Sequence, residues 1–193
     1  MKFQPGVATK EVVMALAAAT SPTKERTGVV TFKGNPMTLV GPELKVGQKA
    51  PDFQVVAQDL SPVTLANSRG KIRLVSVVTS LDTGICDIQT KRFNEEAAKL
   101  PNVAILTISA DLPFAQKRWC GAAGIDKVQV LSDHKDASFG TAYGVLMKEL
   151  RLLSRAIFVV DANDTLRYIE YVPEVASHPN YDAALNAARQ VGK

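Results

Sequence analysis

The stretch Ile72-Arg73-Leu74-Val75-Ser76-Val77-Val78-Thr79-Ser80-Leu81-Asp82-Thr83-Gly84-Ile85-Cys86-Asp87 decides the architecture. Ile72 to Thr79 is a nearly continuous β-branched run, which suits a central strand buried on both faces. The polar residues that follow turn the chain, and Asp82 or Thr83 offers a side-chain oxygen to cap a helix. Beyond them Ile85, Ile88, Phe93, Ala97 and Leu100 recur at spacings that fit one face of a helix over Cys86 to Leu100. Val103 to Ser109 is a second continuous apolar run. A strand, a helix and a strand in this order make a crossover unit with parallel strands, so the fold class is α/β.

Outward from this unit the alternation continues. Phe53 to Ala57 and Val128 to Leu131 read as strands, Pro113 to Ala123 as a short helix and Ala137 to Tyr143 as a helical turn or two. Ala156 to Val160 and Leu166 to Tyr171 bracket Asp161-Ala162-Asn163-Asp164, which predicts a hairpin, and Tyr181 to Gln190 predicts a closing helix. Near the start, Val29 to Phe32 and Met37 to Val40 flank the turn chemistry of Lys33-Gly34-Asn35-Pro36, a second hairpin. Residues 1–27 read as an N-terminal extension, with a short helix over Lys10 to Ala19 and a polar breaker from Thr20 to Lys24. Residues 28–193 then form one domain, a central mixed sheet flanked by helices.

Composition narrows the function classes. With 46% hydrophobic residues in 193, the chain can bury a full core without staples, so its two cysteines are not needed as a disulfide framework. The formal charge of +4 comes from scattered basic residues, and no nucleic-acid partner is expected. His134 and His178 are the only histidines, too few for a Cys/His zinc site, so no metal is expected. The apolar run Val12 to Ala19 is short, has Glu11 at its edge and lacks a basic cluster before it, which favours a cytoplasmic place over periplasmic export. No run approaches the roughly 20 apolar residues that span a bilayer, and no membrane partner is expected.

Cys86 falls in the first helical turn, where free backbone N–H groups and the positive end of the helix dipole favour the thiolate, the nucleophilic form. Thr83 lies on the same side of that turn, and its hydroxyl can donate to a thiolate or accept from a hydroperoxide. Peroxide cleavage also needs a donor for the charge on the departing oxygen. Arg155, at the start of the Ala156 strand, is best placed to reach back over a pocket, ahead of Arg92, Arg118 and Arg151. Each residue also has a plain structural reading. Cys86 is then a buried small hydrophobe, Thr83 only a cap, Arg155 a solubilising strand-end charge, and Cys120, within Arg118-Trp119-Cys120-Gly121, part of a basic, aromatic helix end.

Three separate segments carry a family resemblance. Ser80-Leu81-Asp82-Thr83-Gly84-Ile85-Cys86 with Arg92-Phe93-Asn94 resembles the bacterial thiol peroxidases, the atypical two-cysteine peroxiredoxins. So does the stretch from Ser109-Ala110-Asp111-Leu112-Pro113-Phe114 through Arg118-Trp119-Cys120-Gly121-Ala122. Arg155 to Asp161, Val172-Pro173-Glu174 and Pro179-Asn180-Tyr181 follow in matching order, and the similarity runs from about Val29 to Ala188.

The resemblance implies a thioredoxin-like fold, usually homodimeric, that reduces hydrogen peroxide and organic hydroperoxides at the expense of thioredoxin, without metal or organic cofactor. Carried over, Cys86 is the peroxidatic cysteine, Cys120 the resolving cysteine that closes a disulfide with it in the same chain, Thr83 the hydrogen-bonding threonine and Arg155 the active-site arginine. One position departs from the pattern. Where the family has a proline, seven residues before the peroxidatic cysteine, this chain has Thr79, which restores a backbone donor and frees φ. The rival readings are a thiol–disulfide oxidoreductase, against which Thr83 stands where a Cys-x-x-Cys pair has its first cysteine, and a non-catalytic redox sensor.

Overall fold

Residues 24–192 are described by a computed structural model; the helix expected over Lys10 to Ala19 lies outside them. The chain runs β1 (Glu25–Phe32), β2 (Asn35–Val40), β3 (Gln54–Val56), β4 (Pro62–Thr64), a 3-10 turn (Leu65–Ser68), β5 (Ile72–Val77), α1 (Gly84–Ala97), β6 (Val103–Ser109) and α2 (Pro113–Ala123). It continues through β7 (Gln129–Ser132), α3 (Ser138–Ala142), β8 (Leu146–Met147), β9 (Ala156–Val160), β10 (Leu166–Tyr171) and α4 (Tyr181–Val191).

The β-branched run takes a central place in a seven-stranded mixed sheet of order β10-β9-β5-β6-β7-β3-β4. Every residue of β5 is buried. β5 and β6 pair in parallel around the α1 crossover, as the strand, helix, strand pattern requires, whereas β9 pairs antiparallel on the other side of β5. Alternate residues feed opposite cores. Leu74, Ile105, Ile157 and Val159 face α1, α2 and α4, while Val75, Leu106 and Phe158 face the core that holds Phe139 of α3. Helices thus cover both faces of the sheet, the expected thioredoxin-like arrangement.

The N-terminal hairpin turns on two residues, Lys33 and Gly34, both with left-handed φ (52° and 79°), the geometry whose twist matches that of the flanking strands. Asn35 and Pro36, expected in the turn, already pair with β1. Pairing begins at Glu25, ahead of the patterned Val29. Arg26 masks this start of the strand in the sequence, because its buried guanidinium satisfies itself on the carbonyls of Gly41 and Gly144. β8 adds a third strand to the hairpin.

One expected pattern is corrected. Ile88 is not on the buried face of α1 but 51% exposed. The buried stripe is Cys86, Gln89, Thr90, Phe93 and Asn94, so three polar side chains occupy positions that an apolar reading passes over. That substitution of polar for apolar groups is the first structural sign of a site.

Candidate active site

β5 ends at Val77, and the chain from Val78 to Thr83 carries it over the sheet edge into α1. Cys86 stands in the first turn of this helix and is fully buried. Its sulfur accepts a hydrogen bond from Nη2 of Arg155 at 3.2 Å. Arg155 is 2% exposed and spends its other donors inward, Nη1 on Oε1 of Gln89 at 2.6 Å and Nε on the carbonyl of Val175 at 2.9 Å. Gln89 is in turn fixed by its own amide, which donates to Ser76 Oγ at 2.8 Å. The guanidinium is therefore locked on three sides, and the charge it presents to sulfur has no freedom to swing away.

Thr83 is the N-cap residue of α1, but its hydroxyl does not cap the helix. It donates to the carbonyl of Ser80 at 2.9 Å. With its proton so committed, the oxygen presents lone pairs only, so it can accept a hydrogen bond from a group in the pocket but has none left to donate to the Cys86 sulfur. Thr83, Gly84, Ile85, Thr79 and Arg155 form one side of a pocket of about 310 Å³. Phe32 and Lys33, at the tip of the N-terminal hairpin, with Val175 and Ala176, form the other side.

The hairpin wall is held by one carboxylate. Glu174 accepts from the backbone N–H of Lys33 and of Gly34, each at 3.0 Å, from the Thr31 hydroxyl at 2.8 Å and from the backbone N–H of Ala176 at 2.9 Å. These donors, that of Ala176 foremost, pull its pKa down to about 2.

Cys120 is on α2, 6% exposed, and it is a free thiol, as is Cys86. Its sulfur accepts from the side-chain amide of Gln58 at 3.2 Å, whereas that of Cys86 is engaged by Arg155, so the two thiols have separate partners. Burial pushes the Cys120 thiol pKa up, opposed in part by the Gln58 contact. A polar relay connects the two segments. Asp111, ahead of α2, accepts from Ser80 Oγ and from the backbone N–H of Leu81, both at 2.8 Å, and from Ser109 Oγ at 2.8 Å. Gln116 of α2 donates to the same Ser109 oxygen at 3.0 Å.

Of the residues singled out from sequence, Cys86 and Arg155 meet directly, Thr83 and Arg155 line one pocket whose lining does not include Cys86, and Cys120, in the same buried core as Cys86, has its own partner in Gln58. Arg92 turns to Asp182 and over the ring of Tyr181, while Arg118 and Arg151 are exposed. Sequence reasoning misses Gln89, which sits three residues after Cys86 and so shares its helix face, a signal open to reading. It also misses Gln58, Asp111 and Glu174 as partners, whose roles depend on contacts across the fold. Among the described residues no cluster of three or more His, Cys, Asp or Glu is grouped to hold a metal, and no helix is long and apolar enough to cross a membrane.

Comparison with known proteins follows the same outline. The Redoxin family model matches residues 45–185. The thiol peroxidase of Halalkalibacterium halodurans is 63% identical over 160 residues, covering 83% of this chain and 96% of that protein. That of Bacillus subtilis is 59% identical over 164 residues, covering 85% of this chain and 98% of its own. Among solved structures, a peroxiredoxin-like protein from Aquifex aeolicus superposes with a TM-score of 0.80 at 41% identity, covering 86% of this chain and 97% of that one. A thiol peroxidase from Chromobacterium violaceum, at 20% identity and a TM-score of 0.75 over 83% of this chain and 95% of its own, shares the fold.

Proposed function

The chain belongs to the redoxin family and, within it, to the thiol peroxidases, which are peroxiredoxin-type enzymes; from that membership we propose that Cys86 is its peroxidatic nucleophile and Cys120 its resolving thiol. The Cys86 thiolate attacks the terminal oxygen of hydrogen peroxide or an alkyl hydroperoxide. The S–O bond forms as the O–O bond breaks, the leaving oxygen takes up a proton as water or alcohol, and Cys86 becomes a sulfenic acid. The Cys120 thiolate then attacks the Cys86 sulfur and expels hydroxide, which takes up a proton as water, leaving an intramolecular disulfide. An external dithiol of the thioredoxin type reduces it by exchange and is itself oxidised.

The observation that carries this reading is the contact between Arg155 Nη2 and Cys86 Sγ at 3.2 Å. The buried cation fixed beside the sulfur lies where negative charge develops on the departing oxygen. Thr83, with its proton committed to Ser80, accepts from the hydroperoxide and orients it. The pocket's apolar lining from Phe32, Ile85, Val175 and Ala176 suits an alkyl hydroperoxide as well as hydrogen peroxide.

Both thiols are free, buried and carried within helices, and the resolving step is proposed to proceed by opening of the first turn of α1 and part of α2. Helix ends are the least costly places to do so. Self-association as a homodimer is supported by the exposed Leu112 and Phe114 beside Asp111. The proposed place of work is the cytoplasm, where the thiol pool keeps both cysteines reduced. Stopped-flow mixing of the reduced protein with hydrogen peroxide and with cumene hydroperoxide tests the proposal. Fast oxidation of Cys86 by either, abolished in Cys86→Ser, is the expected result, and no reaction with any peroxide would overturn it.

A further inference from the structure

The pocket contains a polar group that the mechanism so far leaves unused. Thr79 lines the pocket beside Thr83 and Arg155, is 5% exposed, and its hydroxyl oxygen is buried with no hydrogen-bond partner. Folded proteins rarely leave such a group unpaired, because burial without a partner forfeits its hydrogen bonds to water. The orphaned hydroxyl of a pocket-lining residue has a direct explanation: a turn about χ1 presents it to the pocket, and its partner arrives with the substrate. Such sites store the cost in the free enzyme and recover it on binding.

We infer that the Thr79 hydroxyl is a substrate-contacting group that hydrogen-bonds the bound hydroperoxide and biases this enzyme towards hydrogen peroxide. This role rests on the proposed role of Cys86 and on the chemistry of the two substrates. Thr83, with its proton on Ser80, accepts one O–H. An alkyl hydroperoxide has a single O–H and satisfies Thr83 with it. Hydrogen peroxide has an O–H at each end, so its second one needs an acceptor, and among apolar walls an unengaged hydroxyl supplies it. Thr79 is thus a specificity determinant, worth more to the substrate with two donors than to the one with an alkyl group at that end. The proline expected at this position from the family resemblance has no side-chain polar atom, so this contact belongs to the present chain's own residue.

The test compares the wild type, Thr79→Val and Thr79→Ser by stopped-flow oxidation of Cys86 with hydrogen peroxide and with cumene hydroperoxide, alongside thermal melts. Valine keeps the shape and removes the hydroxyl; serine keeps the hydroxyl. The expected result is an about tenfold slower reaction of Thr79→Val with hydrogen peroxide, a much smaller loss with cumene hydroperoxide, and recovery in Thr79→Ser. The melting temperature of Thr79→Val stays equal to or above that of the wild type, since an unpaired buried hydroxyl has been removed. Equal rates for wild type and Thr79→Val, or equal losses with both peroxides, would overturn the inference. A wild type inert to both peroxides is a different failure, since it removes the peroxidase reading along with this one.

Discussion

Arg155 Nη2 stands 3.2 Å from Cys86 Sγ although the two residues are 69 positions apart, one at the start of β9 and the other in the first turn of α1. The strand order explains the meeting: β9 lies beside β5, so Arg155 emerges next to the loop that β5 feeds into α1. Removing this donor should slow Cys86 oxidation about 10²-fold, the usual size of losing one preorganised donor at a developing charge. Arg155→Met is the variant to measure, by stopped-flow fluorescence. Arg155→Lys restores only part of the rate, because an ammonium cannot hold Gln89, Val175 and the sulfur together with a planar fork.

Much of this site is legible in residue type and spacing alone. The β-branched run of β5, the apolar run of β6 and the hairpin of β9 and β10 follow directly from residue type, because a strand buried on both faces or bounded by turn residues leaves a local mark. Arg155 is legible for the same reason, standing just before such a strand. Ile88 is misplaced by periodicity because period alone cannot tell which side of a helix is buried when that side is built of Gln89 and Thr90. β4 and β8 are too short to leave a pattern, and each exists through its partner, β3 and β2 respectively. Gln58 against Cys120 is invisible for the deeper reason that a contact between a loop and a distant helix has no sequence period at all.

The resolving step should be more sensitive to pH than the first oxidation. Burial raises the Cys120 thiol above its ordinary value, so at neutral pH it is protonated, and only its thiolate attacks the sulfenic acid. The linked loss of folded-state stability falls only above the ordinary thiol pKa, so in the neutral range the pH dependence comes from the thiolate fraction alone. Disulfide formation, followed by the second phase of a stopped-flow trace, should therefore accelerate about tenfold per unit between roughly pH 6 and 8. Mass spectrometry after one equivalent of peroxide should show the Cys86–Cys120 link within one chain, and Cys120→Ser should stop at the sulfenic acid.

Asp111 restrains the same transition from the other side. Its carboxylate ties the backbone of Leu81 and the hydroxyls of Ser80 and Ser109 to the start of α2. Asp111→Ala leaves a backbone N–H and two hydroxyls without an acceptor and should cost about 2 kcal/mol, concentrated in the loop before α1. Hydrogen exchange should show residues 80–87 opening more readily. If the proposed disulfide forms through that opening, the variant forms it faster while its initial attack on peroxide, which uses the closed geometry around Arg155, becomes slower. Opposite changes in the two phases distinguish this from general destabilisation, which slows both.

Glu174 offers a test of the pocket's other wall. Its carboxylate collects backbone N–H groups from Ala176, Gly34 and Lys33 and the hydroxyl of Thr31, which hold its pKa at about 2 against an ordinary value of 4.5. A carboxylate depressed in the folded state contributes stability above its unfolded pKa and loses it as pH falls, so the hairpin should stay docked at neutral pH and loosen between about 4.5 and about 2. Amide exchange at Lys33 and Gly34 should report that loosening before the central sheet opens. Glu174→Gln reproduces it at neutral pH, since an amide accepts more weakly and brings a surplus donor into a cluster of donors. Phe32 and Lys33 form that wall, so the variant should lose rate with cumene hydroperoxide several-fold more than with hydrogen peroxide, which is small enough to be held by the residues on the Cys86 side. This is the opposite ranking to that expected for Thr79→Val, and measuring both variants with both peroxides separates a wall that fits the alkyl group from a hydroxyl that reads the second O–H.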